Sequence, residues 1–155
     1  MIWEDLNVNL IIPDLEAESS EDVFQQMGSK MISEGYCKDT FVEALKERES
    51  EFPTGINMGD IGIAIPHTNK QHVKKGGIAI GILKDPVHFY QMGTTDEPVE
   101  AKLIFMLAVE NPKAHLEFLQ RILVVLQDQN VLQKIMQTKD KQQVISIIKE
   151  KENSL

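Results

Sequence analysis

The chain has 155 residues, a formal net charge of −8, and 42% hydrophobic and 26% charged residues, the balance of an ordinary soluble globular protein. That length falls in the usual single-domain range, 1–155 as one unit, and lets a compact fold bury about 68–70% of its unfolded surface without needing disulfides or a structural metal. The acidic balance, with no basic stripe, argues against a nucleic-acid binder, because phosphate neutralisation needs clustered Lys and Arg.

The N-terminus shows no basic-then-apolar signal pattern and no apolar run approaches a membrane span, so a cytoplasmic protein that is not itself membrane-embedded is expected. Val8–Ile12 reads as a first strand closing at Pro13. Ser19 or Ser20 caps a helix whose apolar positions Val23, Phe24, Met27, Met31 and Ile32 follow helical spacing, and Gly35 ends it. Cys37 is the single cysteine, which excludes an intramolecular disulfide and a Cys-rich zinc site. No local constellation marks it as a nucleophile. Asp39 or Thr40 caps a second helix with Phe41, Val42, Ala44 and Leu45, running into the charged stretch Lys46–Glu51 and broken by Phe52-Pro53-Thr54-Gly55. Strand-like segments follow around Ile56–Met58, Ile61–Ile65, Gly77–Leu83 and Leu103–Val109, with a short one near Val87–Tyr90 and an exposed, flexible loop at Met92–Pro98. Asn111-Pro112 starts a helix, a cap residue followed by proline at the first helical position. Three apolar stripes complete the chain: Leu116, Leu119, Ile122, Leu123 and Leu126; Val131, Leu132, Ile135 and Met136; Val144, Ile145, Ile147 and Ile148. Helices, then strands, then helices favour an α/β (α+β) sandwich around a mixed sheet of about five strands over a doubly wound dinucleotide fold. No glycine-rich phosphate fingerprint occurs.

Gly62–His67 is the most informative stretch. Ile61, Ile63 and Ile65 alternate with small residues, and Pro66 stops the strand because it cannot donate to a ladder. His67 then stands at the lip of a sheet, able to carry a proton, a metal or a phosphoryl group. His67 and His72 are five residues apart across a turn, which matches no standard zinc-ligand pattern, and no metal site is expected. His115 lies in the first turn of its helix. From spacing alone the plainer reading, a partly exposed first-turn residue, is favoured over one that faces His67. His88 reads as a strand residue packed against its neighbours, and His72 as solvated in a Lys-rich loop. Arg48 at a helix C-terminus suits the macrodipole, or serves as a fork for phosphate oxygens, with Thr54 and Gly55 adding a hydroxyl and a backbone N–H at the same spot. Nothing local decides between the two.

Arg48-Glu49, Phe52-Pro53-Thr54-Gly55-Ile56, Ala64-Ile65-Pro66-His67 and Glu110-Asn111-Pro112 ahead of His115-Leu116 occur in that order. Together they resemble the IIA component of the bacterial sugar phosphotransferase system, of the fructose–mannitol superfamily. The strings Glu51–Ile56, Val87-His88-Phe89 and Val109–Pro112 look most like the galactitol-type branch. The resemblance covers almost the whole chain, and its near-terminal boundaries favour a separate subunit. It implies the mannitol/fructose-type IIA fold and a phosphotransferase with a phosphohistidine intermediate and no cofactor. The phosphocarrier protein HPr would donate to His67, and His67 would pass the group to a cysteine of a cognate IIB component. IIB would then phosphorylate a galactitol-like sugar or polyol entering through the IIC membrane component. The match makes His67 the phosphoryl acceptor, Arg48 the neutraliser of phosphoryl oxygens and His115 a second active-site histidine. Neutral imidazole is a competent nucleophile near pH 7, and its other ring nitrogen should be held as a donor by a backbone carbonyl or similar acceptor. A regulatory module of the same fold, whose phosphorylation state controls a protein partner, is the alternative.

Overall fold

The computed structural model describes residues 1–94 and 96–155. Five strands form one mixed sheet: β1 (Leu6–Leu15), β2 (Gly55–Met58), β3 (Ile61–Ala64), β4 (Gly77–Tyr90) and β5 (Pro98–Ala108). Their order across the sheet is β1-β4-β5-β3-β2. β4 runs parallel to β1 and antiparallel to β5, while β3 runs parallel to β5 and antiparallel to β2. Five helices cover the sheet: α1 (Ser20–Ser33), α2 (Phe41–Glu51), α3 (Pro112–Leu126), α4 (Gln129–Gln137) and α5 (Lys141–Asn153).

Strand alternation assigns the two layers of helices to opposite faces. Ile61 and Ile63 of β3, Ile78 and Ile80 of β4, and Leu103, Phe105 and Leu107 of β5 pack with Ile122, Leu126, Leu132, Ile135, Val144 and Ile148 from α3–α5. Ala64, Ala79, Ile104 and Met106 point the other way and meet Phe24, Met27, Met31, Phe41 and Leu45 from α1 and α2. A sheet buried on both faces explains why its central strands read as near-continuous apolar runs.

Caps set the helix starts. Ser19 Oγ accepts from Asp22 N at 3.1 Å, Asn111 Oδ1 from Ala114 N at 2.7 Å, and Asp140 Oδ1 from Gln142 N at 2.9 Å. Thr40 occupies the cap position of α2, but its hydroxyl is bonded to His72 instead. Gly35, at φ +85°, follows α1 in the left-handed conformation that its missing Cβ permits.

Several strand limits differ from the sequence reading. β1 does not close at Pro13; it continues to Leu15. It is an edge strand with irregular register on either side of Ile11–Ile12, so proline's missing donor costs the ladder nothing there. The segments at Gly77–Leu83 and Val87–Tyr90 are one strand, β4, offset by an irregularity between Ile82 and Val87. β5 begins at Pro98, ahead of the expected Leu103, because Val99 and Ala101 already pair with Phe89 and Val87. The Met92–Pro98 loop therefore ends one residue early, and its Thr95 lies outside the described residues.

Candidate active site

The chain leaves β3 tethered on both sides: Ile65 N donates to Thr54 O at 3.1 Å, and Leu107 N donates to Pro66 O at 2.9 Å. His67 follows directly, half-buried. Its Nδ1 lies 2.8 Å from Ile65 O. A carbonyl only accepts, so Nδ1 bears the hydrogen and Nε2 of the neutral ring keeps a bare lone pair. Burial pushes the His67 imidazole down to about 4, with His115 and Arg48 pushing the same way against the Ile65 bond, which favours the protonated ring. At neutral pH the ring is a nucleophile without needing a base.

His115 comes from the opposite layer. The Asn111 cap fixes the first turn of α3, and the His115 ring faces His67 with centroids 4.6 Å apart, tilted by 43°. Burial, then the Arg48 charge, holds its pKa below the ordinary histidine value. His115 is the partly exposed first-turn residue that spacing suggests, and it also faces His67: the folded sheet edge brings position 115 against position 67.

Arg48 reaches in from the last turn of α2. Its Nη1 donates to Asn69 Oδ1 at 3.3 Å, and its guanidinium carbon lies 5.0 Å from the centroid of Phe52. Its Nε is buried without a hydrogen-bond partner among the described residues. A charged fork held at the wall of a cavity is suited to a tetrahedral anion. His67, His115 and Arg48 share an open cavity of about 370 Å³ with Thr68, Asn69, Lys70 and Asn111 on its walls.

Thr54 and Gly55 do not line this cavity, contrary to the sequence expectation. The Thr54 hydroxyl and amide both donate to Glu49, at 2.7 Å each. Gly55 is paired with Ala64 within the sheet, and its carbonyl accepts from Met92 N at 2.7 Å. Thr68 and Asn69 on the walls are functional-site residues that the sequence reading did not single out. Their signal was position: polar residues placed directly after Pro66-His67.

The remaining candidates stand apart. His72 is half-buried rather than solvated, its Nδ1 2.8 Å from Thr40 Oγ1. His88 lies on the outward face of β4, where Nδ1 is 3.2 Å from Glu100 Oε1 and the ring meets Tyr90 edge-on at 4.8 Å. Burial pushes the Cys37 thiol up to about 12, so it is an inert core residue at neutral pH. Among the described residues no group of three His, Cys, Asp or Glu side chains could hold a metal ion.

The fold is an α/β sandwich in which two histidines and an arginine share one cavity at the sheet edge. The family model for the phosphoenolpyruvate-dependent sugar phosphotransferase system, EIIA 2, matches residues 4–151, and the chain belongs to that family. The galactitol-specific EIIA component of Escherichia coli K12 is 36% identical over 112 residues, 72% of this chain and 74% of that protein. The mannitol-specific IIA component of Geobacillus stearothermophilus is 28% identical over 143 residues, 90% and 92% of the two chains. The IIA chain in the solution structure of the Escherichia coli complex between mannitol enzyme IIA and phosphorylated enzyme IIB superposes with a TM-score of 0.79. It is 22% identical, covering 94% of this chain and 97% of that one. The chain is accordingly a IIA-type phosphotransferase component of a sugar or polyol transport system.

Proposed function

We propose that His67 accepts a phosphoryl group on Nε2 from phosphorylated HPr and passes it to a cysteine of a cognate IIB component. The whole chain, 1–155, works here as one IIA domain in the cytoplasm. The observation that carries this reading is the bond from His67 Nδ1 to Ile65 O, which leaves Nε2 bare towards a cavity that also holds His115 and Arg48.

The Nε2 lone pair attacks phosphorus as the donor's N–P bond breaks, and that bond's electron pair returns to the donor imidazole. No proton needs to move. In the second half a cysteine thiolate attacks the same phosphorus, the new N–P bond breaks and its pair returns to Nε2. Transfer through a loose transition state asks the protein mainly for positioning and charge stabilisation. The Arg48 guanidinium, on the cavity wall, offsets the equatorial charge. The neutral His115 ring walls the other side and supplies a nitrogen for a phosphoryl oxygen. The Nδ1–H bond to Ile65 persists through both halves and keeps the ring from turning.

The galactitol-specific relative at 36% identity supports a galactitol-like polyol as the transported substrate, phosphorylated by IIB as it passes through IIC. The test is intact-mass spectrometry after mixing with phosphoenolpyruvate, enzyme I and HPr, beside an H67Q control. One acid-labile phosphoryl group, absent from H67Q, is expected, and it should be lost on adding IIB. No added mass on folded protein with HPr confirmed phosphorylated would reject the reading. Added mass that no IIB removes would point instead to a regulatory module.

A further inference from the structure

One half-buried carboxyl takes no part in the transfer just described. Glu49 follows Arg48 in the last turn of α2, and both of its oxygens are committed to one residue. Oε1 accepts from the Thr54 hydroxyl and Oε2 from the Thr54 amide, each at 2.7 Å. Thr54 is itself buried. Its carbonyl accepts from Ile65 N at 3.1 Å, and the Ile65 carbonyl accepts from His67 Nδ1 at 2.8 Å. An unbroken line of hydrogen bonds therefore runs from the helix that bears Arg48 to the ring of His67.

Burial raises the Glu49 pKa, while the two Thr54 bonds oppose the rise by favouring the carboxylate. A carboxyl in such a place is costly unless its bonds are made. The turn at residues 52–55 could have been closed by local packing, yet it is closed by two charge-assisted bonds. Arg48 and Glu49 are consecutive on one helix, so the Glu49 bonds tie the helix end that carries the guanidinium to the Thr54 turn, and through Thr54 to the Ile65 peptide that accepts from His67.

We propose that Glu49 is a positioning residue for phosphoryl transfer, acting through Thr54 and Ile65 to hold the His67 ring in its Nδ1–H tautomer and to fix the spacing between His67 and Arg48. The inference rests on the reading of His67 as phosphoryl acceptor. It assigns Thr54 to bracing the site from behind.

The test compares E49A, E49Q and wild type by single-turnover transfer from phosphorylated HPr and by ¹⁵N spectra of the His67 ring. E49A should keep the wild-type circular dichroism while its rate constant at saturating HPr falls about 10–100-fold, the range expected of small misplacements, with the HPr concentration dependence unchanged. Its ¹⁵N signals should move from a single tautomer towards a mixture. E49Q should stay within a few-fold of wild type, because its oxygen can accept from the Thr54 amide and its nitrogen can donate to the Thr54 hydroxyl. E49A at the wild-type rate with unchanged ¹⁵N signals would overturn the proposal, as would E49Q being as slow as E49A. If E49A does not fold, T54V carries the same readouts, with T54S as the restoring variant. If the wild type accepts nothing from HPr, the functional reading fails, yet the ¹⁵N comparison needs no partner and still decides the Glu49 inference.

Discussion

A histidine pressed down to about 4 affects stability as well as reactivity. In the unfolded chain the same side chain titrates near 6.5, so between these values the unfolded state binds more protons than the folded one. Stability then rises with pH across that window, and the part due to His67 is lost as pH falls from about 6.5 to about 4. Glu49, whose pKa is raised, acts in the opposite direction, so the net curve of the wild type mixes the two. Subtracting H67Q isolates the histidine, because glutamine takes up no proton. The wild-type stability relative to H67Q should be flat above about pH 7 and should fall towards pH 4 by up to about 3 kcal/mol, at roughly 1.4 kcal/mol per pKa unit. Urea unfolding of both proteins across that range measures it. A difference that stays constant with pH would mean that the imidazole is as free to protonate in the fold as out of it.

Elements bring the site together, and β3 is the one with least tolerance. Gly62 pairs with Ala101 of the parallel strand β5, and the register slips between Gly62 and Ile63. A Cβ at Gly62 would meet the Glu100 carbonyl oxygen, with its carbon at 2.8 Å and a Val99 methyl at 3.0 Å. Backbone on the far side cannot turn aside as a side-chain end can. G62A should therefore destabilise by about 2–3 kcal/mol, the upper part of the overpacking range, lowering Tm by about 5–10 °C. Because β3 delivers His67, phosphoryl acceptance should fall as well. A calorimetric Tm equal to wild type would show that β3 and β5 can separate without cost. Most elements were legible because their signals are local: Ser19, Asn111 and Pro112 marked helix starts, and Ile61, Ile63 and Ile65 marked a buried strand. What was not legible depends on pairing. Pro13 looked like a stop because its edge position was invisible, and Val87–Tyr90 looked separate from β4 because a register irregularity interrupts the alternation. The site divides in the same way. His67, Arg48 and His115 could be picked out from motif order, whereas the tilt and spacing of the two rings and the seizure of Thr54 by Glu49 need the folded contact between layers.

The assembled molecule places His67 at the seam of two cores. Arg48 comes from the α1–α2 layer, His115 from the α3–α5 layer, and His67 from the sheet between them, so cavity geometry depends on both layers staying docked. The second layer is secured at its far end by Glu152. This buried α5 residue accepts from Ile2 N at 3.0 Å and Trp3 N at 2.8 Å, in the short 3₁₀ turn at Ile2–Asp5 that leads into β1. Lys149, three residues earlier on α5, lies 4.5 Å from the Trp3 ring centroid and adds a cation–π contact to the same clasp. E152A removes both acceptors and strands two backbone N–H groups, which should cost about 2–3 kcal/mol. E152Q keeps one acceptor but turns an NH₂ towards the other N–H, so it should recover only part of the loss. Glu152 does not line the His67 cavity, so each folded variant should accept phosphoryl at the wild-type rate well below its melting temperature. Denaturant midpoints and transfer rates measured on the same samples separate the two effects. Wild-type midpoints would remove the clasp from the account of stability. Slowed transfer in fully folded E152A would mean that the α3–α5 layer shifts as a body and carries His115 with it.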